Sequence, residues 1–236
     1  MKPLQFSARK TAALEILGLI GFVVILKELF DPFFWRYAGP AALAITMAAL
    51  AFYLNRTGQS WQSVGLRRLP GLKSKLLLLP QILATFAAMA VAIAVVSYGG
   101  DALGWTFMEE MPEGVDARWG DITGNIPLYL VWIVISWVIA GFSEEVLFRG
   151  FLITRLIRVF SGSRLGPALA VILAGLFFGG LHYYNQGLRG FITASAIGIA
   201  FGVMFLLLKR NLWPIIFVHG SIDTLGFTVR LLDLDV

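Results

Sequence analysis

Apolar runs of about twenty residues recur along this chain, and that recurrence constrains the fold more than any other feature. A helix rises about 1.5 Å per residue, so roughly twenty apolar residues cross a hydrocarbon core about 30 Å thick. Seven candidate segments lie near residues 11–29, 38–55, 76–97, 126–149, 166–182, 190–208 and 212–230. In lipid every backbone N–H and C=O must be paired within the chain, and helices do this locally. Composition agrees: 58% of residues are hydrophobic, 14% are charged, and the mean hydropathy is +0.80. A soluble domain is about half apolar and about a quarter charged. The expected fold is all-α, a polytopic transmembrane helical bundle of about seven spans. Residues 1–125 read as N-terminal helices and loops without motifs, and residues 126–236 as a motif-bearing helical core, within one integral membrane unit.

Loop charge orients the bundle. Lys2, Arg9 and Lys10 precede the first apolar run. "NRTGQSWQSVGLRRLPGLKSK", residues 55–75, has five Lys/Arg and no acid. Arg155, Arg158 and Arg164 follow the fourth segment, and Lys209 and Arg210 follow the sixth. In a seven-span count all four groups fall on one side, which is the cytoplasmic side by the positive-inside rule. Residues 99–125 fall opposite, with six acids and one arginine. The C-terminal "DLDV" joins them. The expectation is a multi-pass protein of the plasma (inner) membrane with a cytoplasmic N-terminus. The first run continues to about Leu26 with no small-residue cleavage site close behind, so it reads as a retained helix rather than a signal peptide. Within the basic loop, Trp61 and Leu66 suit either an interfacial stretch or an ordinary loop.

The net charge of +5 is accounted for by these loops, and no nucleic-acid partner is expected. The chain has no cysteine, which excludes disulfides, iron–sulfur clusters, thiolate zinc sites and a cysteine nucleophile. Gly175 and Gly179, like Gly198 and Gly202, stand at the spacing that lets two helices approach closely in lipid.

Ionisable residues in apolar spans mark function, because each costs about 2.5–3.5 kcal/mol at a helix centre. The later spans hold Glu144, Glu145, Arg149, His182, His219 and Asp223, including both histidines of the chain. Glu145 and Arg149 are four apart and share a helix face, so they can pair. Glu144 points about 100° away and is free to face something else. His219 and Asp223 are also four apart, and a carboxylate can set an imidazole tautomer. Phe178 precedes His182 by four.

In order along the chain, "EEVLFR" (Glu144–Arg149), "FGGLH" (Phe178–His182) and "HGSID" (His219–Asp223) resemble the motifs of the CPBP intramembrane protease family. That family holds the CAAX prenyl endopeptidases and bacteriocin-processing enzymes and was formerly called the abortive-infection family. The resemblance covers roughly residues 126–226. It implies an intramembrane endopeptidase, a hydrolase acting on a peptide or a membrane protein. By the resemblance, Glu144 and His182 activate a water, and His219 and Asp223 stabilise the oxyanion or position the substrate. Glu145, Arg149 and Phe178 support the site. Asp223 departs from the asparagine often found there: ionised, it only accepts hydrogen bonds, so it can instead orient His219 or bind a metal.

Metal-free glutamate chemistry is the favoured reading, with no cofactor. Zinc on Glu144, His182, His219 and Asp223 is the alternative, although no His-Glu-x-x-His motif is present. A non-enzymatic immunity or scaffold protein that keeps the fold is the competing function. A transporter is disfavoured because no internal repeat is found. For the polar groups to reach a common depth, the fourth helix must continue past Arg149 towards Arg158, and the fifth must begin well outside the core near Pro167 or be tilted. Both are expected, with a water-accessible cavity between. Oligomeric state is left open.

Overall fold

A computed structural model describes residues 3–110 and 112–234, and these are helical with no strand. Lys2 and the last two residues of "DLDV" lie outside the described residues. The long elements are α1 (Pro3–Arg56), α3 (Leu78–Leu103), a helix running from α5 (Ile126–Ile135) to α6 (Thr154–Val159), α7 (Gly166–Leu207) and α8 (Trp213–Leu231). Two short helices, α2 (Gly71–Leu76) and α4 (Glu113–Trp119), lie in the connections.

Two of the long helices are hairpins. α1 leaves helical geometry at Phe34, between Pro32 and Pro40. Its two arms then fold back so that the Tyr53 hydroxyl donates to Glu15. α7 breaks at Gly187, with φ 58° and ψ −154°. That region of backbone space is essentially open to glycine alone. The arms of α7 meet through their small residues. A Cβ on Gly175 would lie 2.6 Å from Ile199, one on Gly198 would lie 3.0 Å from the Gly175 Cα, and one on Gly202 would lie 2.9 Å from Val171. The two glycine pairs seen in the sequence therefore pack the two arms of one hairpin together.

Among the described residues, three helices are long and apolar enough to cross a bilayer: Gly71–Leu103, Ile126–Val159 and Gly166–Leu207. The chain is thus an integral membrane protein by its helices. α1, which carries several charges, and α8 are not among the three, so the count of seven spans is not carried by hydropathy. Large apolar side chains such as Leu17, Leu83, Val95 and Leu207 are exposed. In water such surface would be an aggregation liability; in lipid it is the ordinary outer face.

The helix from 126 to 159 is the centre of the bundle. Asn125 caps its start by accepting from the Leu128 N–H at 3.2 Å. It is continuous past Arg149 to Val159, and α7 begins at Gly166, both as expected from the polar pattern. Around it lies a core that includes Val146, Phe151, Ile153, Phe201, Phe205 and Ile215. The basic loop is anchored to it: Val64 is buried, and its carbonyl abuts Gly150, where any side chain would collide. Trp61 stays partly exposed in the same turn.

One residue read as a loop charge is nothing of the kind. Arg155 is fully buried, with Nε on Glu15 at 2.9 Å and Nη2 on Gln59 at 2.8 Å. The helix runs further than its apolar pattern, so Arg155 lies inside the bundle, where Glu15 of α1 and Gln59 just beyond its end supply partners.

Candidate active site

The site begins with a departure from α-helical geometry. From Ser136 to Glu144, and again from Val146 to Ile153, the central helix is wound as a π-helix. The Ser143 hydroxyl donates to the carbonyl of Val138, five residues back, at 2.7 Å. Such segments are rare and concentrate at functional sites. Here the widened turns meet α8 where two glycines coincide. A Cβ on Gly141 would lie 3.2 Å from the Gly220 nitrogen, and one on Gly220 would lie 2.7 Å from the Trp137 ring. The close approach brings His219, next to Gly220, beside Glu145.

Glu145 is fully buried and pairs as its spacing predicts. Its Oε1 accepts from Arg149 Nη1 at 3.0 Å and from His219 Nδ1 at 2.6 Å. The Arg149 guanidinium lies over two aromatic rings, 4.4 Å from the Phe178 centroid and 5.4 Å from that of Phe201. Among the described residues, two polar atoms in this group have no hydrogen-bond partner: Glu145 Oε2 and Arg149 Nη2. Phe178 thus supports Arg149 with its ring and His182 with its backbone. His182 Nδ1 donates to the Phe178 carbonyl at 2.9 Å, and the two rings lie 4.5 Å apart. That bond assigns the proton to Nδ1 and leaves Nε2 of the neutral ring as an acceptor.

Asp223 does not orient His219 as its spacing suggests. Its Oδ2 is 3.9 Å from His219 Nε2, beyond hydrogen-bond range. Glu145 takes that role, on the other ring nitrogen, because the π-helix and the paired glycines bring it closer than the i+4 carboxylate. Asp223 instead faces the space on the Nε2 side.

That space is a cavity of about 720 Å³. Glu144, His182, His219 and Asp223 all lie in its wall. Glu145 and Arg149 are behind the wall, so the adjacent glutamates are divided between interior and cavity. Ser136, whose buried hydroxyl has no hydrogen-bond partner among the described residues, also lines it. Among the described residues, no three His, Asp or Glu side chains are grouped so as to hold a metal ion.

Two groups escaped the sequence reading. The Glu15–Arg155 pair could have been suspected from Glu15, the only acid before Glu28. The other is Arg118 of α4, which reaches into the cavity wall. Burial holds its guanidinium below the usual arginine range, an effect partly offset by the charge of Glu144. Its signal was a lone arginine among six acids in residues 99–125.

Residues 126–225 match the family model described as type II CAAX prenyl endopeptidase, Rce1-like. The match agrees with the resemblance to the CPBP family carried by the three motifs. Neither the curated proteins nor the solved structures give a match to the chain.

Proposed function

We propose that this chain is an intramembrane endopeptidase that hydrolyses a peptide bond with a water activated by Glu144 and His182. One observation carries the reading: Glu144, His182, His219 and Asp223, from three helices, share the wall of one cavity. The family match supports the reaction class.

The chemistry follows from the tautomers. His182 Nε2 accepts a hydrogen bond from the attacking water, and the Glu144 carboxylate takes the water's proton. The hydroxide forms a C–O bond to the scissile carbonyl, whose π electrons move to oxygen. His219, held at Nδ1 by Glu145, presents Nε2 to that oxygen, and doubly protonated it gives the oxyanion a fixed donor. On collapse the C–N bond breaks, and Glu144 returns its proton to the leaving amine. Asp223, on the Nε2 side of the ring, positions the substrate. The substrate is a peptide or a segment of a membrane protein. The two hairpins, α3, the central helix and α8 make seven helical arms, which supports the seven-span count, and the loop charges support a cytoplasmic N-terminus in the plasma membrane.

The test is cleavage of a quenched-fluorescent peptide library by the purified chain in detergent, beside Glu144→Ala. Activity that survives the substitution would refute the proposed base. Activity lost in the variant, with the fold intact by thermal melting, supports it.

A further inference from the structure

The cavity wall holds four Lys/Arg side chains: Lys27, Arg118, Arg189 and Arg230. Three have partners. Lys27 lies 3.0 Å from Glu28 and 3.5 Å from Asp31. Arg189 donates to the Glu110 carbonyl at 2.8 Å, and Arg230 to Asp116 at 2.7 Å. Arg118 differs: among the described residues it makes no hydrogen bond or ion pair.

The absence is not slackness of the loop, because α4 is tightly fixed. Arg36 donates to the Ala117 carbonyl at 3.2 Å, and Trp132 Nε1 to the Trp119 carbonyl at 3.0 Å. Gly114 lies so close to the Asn185 backbone that a Cβ there would come within 2.5 Å of its carbonyl oxygen. Opposite Arg118, Gly39 makes room for the guanidinium; a Cβ there would lie 3.3 Å from Nη2. A rigid helix thus holds an arginine with no acceptor against the cavity that contains Glu144. A guanidinium has five N–H donors in a planar fork, and partly buried it needs an acceptor.

We propose that Arg118 is a specificity residue that binds a carboxylate of the peptide substrate in the cavity. The proposal rests on the protease reading of the same cavity and names a chemical feature of its substrate. A carboxylate fits better than a phosphate. Glu28, Glu144 and Asp223 already line the wall, and among the described residues only one cation of the wall makes no hydrogen bond or ion pair. A single negative charge is matched by that cation, whereas a dianion adds repulsion from the three carboxylates. The planar fork also suits bidentate carboxylate binding. The carboxylate is either an acidic side chain or the free C-terminus of the peptide.

The experiment uses the full chain in detergent with quenched-fluorescent peptides. Each is made with a free or an amidated C-terminus, and with Asp/Glu or Asn/Gln at its acidic positions. Wild type is expected to prefer carboxylate-bearing forms by about 10- to 100-fold in kcat/KM, the worth of a hydrogen bond to a charged group. Loss on amidation identifies the C-terminus; loss on Asp→Asn or Glu→Gln identifies the side chain. Arg118→Gln should abolish the preference through KM, leaving neutral forms within about twofold. Arg118→Lys should keep part of it, and Arg68→Gln, on the basic loop, should keep all of it. Should Arg118→Gln fail the thermal-melting check, Arg118→Lys and Gly39→Ala, which crowds the guanidinium, replace it. No preference in wild type overturns the proposal. So does a general rise in cleavage by Arg118→Gln, which would make Arg118 a brake on Glu144. If wild type cleaves nothing, the protease reading fails separately. Binding of the same peptides by fluorescence anisotropy then decides: a carboxylate preference lost in Arg118→Gln upholds the subsite, and equal binding overturns it.

Discussion

Two arginines six residues apart on the central helix are both buried, Arg149 at 1% exposure and Arg155 at 0%, yet they are held differently. Arg155 spends every nitrogen: Nε on Glu15, Nη1 on the Thr154 hydroxyl, Nη2 on Gln59. Tyr53 completes the group by donating to Glu15. Among the described residues, Arg149 leaves Nη2 without an acceptor, its partner Glu145 leaves Oε2 without a donor, and His219 joins them with one ring nitrogen turned to the cavity. Burying charge is costly, and a fully paired group recovers most of that cost. The Arg155 group therefore reads as a clamp that fastens the N-terminal hairpin to the helix carrying the glutamates. The Arg149 group is incomplete and adjoins a cavity, as a group that holds chemical side chains in place would be.

The largest expected effect separates the two regions by function. Glu144→Ala should lower kcat/KM by about 10²- to 10⁴-fold, the usual worth of a positioned general base. Its melting temperature should stay near that of wild type, because Glu144 faces the cavity rather than the core. A normal rate would remove Glu144 from the chemistry, and a collapse in stability would make it part of the clamp.

How far the sequence speaks follows the same division. Helical spacing shows that Glu145 meets Arg149 and that Glu144 points elsewhere, because both are properties of one helix. It misses that Glu145, not Asp223, holds His219. That contact depends on a π-wound segment and on Gly141 meeting Gly220, and neither is a local pattern. Hydropathy marks the apolar segments but places Arg155 in a loop, because a charge looks like an end until its partners are known. Those partners come from residues 15 to 59, far back in the chain. Gly187 was unremarkable as a letter, yet its positive φ turns α7 into two arms. Arg118 could be seen as an oddity among acids; that it makes no hydrogen bond or ion pair among the described residues required the fold.

The clamp is tested by stability. Arg155→Leu leaves the partly buried Glu15 without its ion-pair partner and should destabilise the protein by about 3 kcal/mol, the lower end of the cost of breaking a buried pair. The double replacement Glu15→Leu with Arg155→Met removes both charges and should restore most of that loss. Thermal unfolding in detergent checks both. A double variant as unstable as the single would mean that the pair itself, not the orphaned charge, matters. A smaller effect is expected at the α7 turn. Gly187→Ala forces a Cβ into a backbone region reserved for glycine and should cost about 1–3 kcal/mol. His182 is five residues away on the same arm, so cleavage should fall with it; a fall in stability alone would detach the turn from the site.

The smallest expected effect is that of a chelator. Nδ1 of each histidine is engaged, on the Phe178 carbonyl in His182 and on Glu145 in His219, so each ring offers only Nε2. Asp223 is 3.9 Å from His219 Nε2, and among the described residues no three such groups are gathered around a point an ion could occupy. Zinc binds its nitrogen and oxygen ligands at about 2.0–2.2 Å, so these groups would have to draw together to hold an ion. Incubation with 1,10-phenanthroline should therefore leave cleavage within about twofold of the untreated protein, less than one part in ten of the Glu144→Ala effect. Loss with chelator, restored by added Zn²⁺, would reverse the comparison: the incomplete Arg149 group would then support a metal site, and Glu144 would be a ligand rather than the free base.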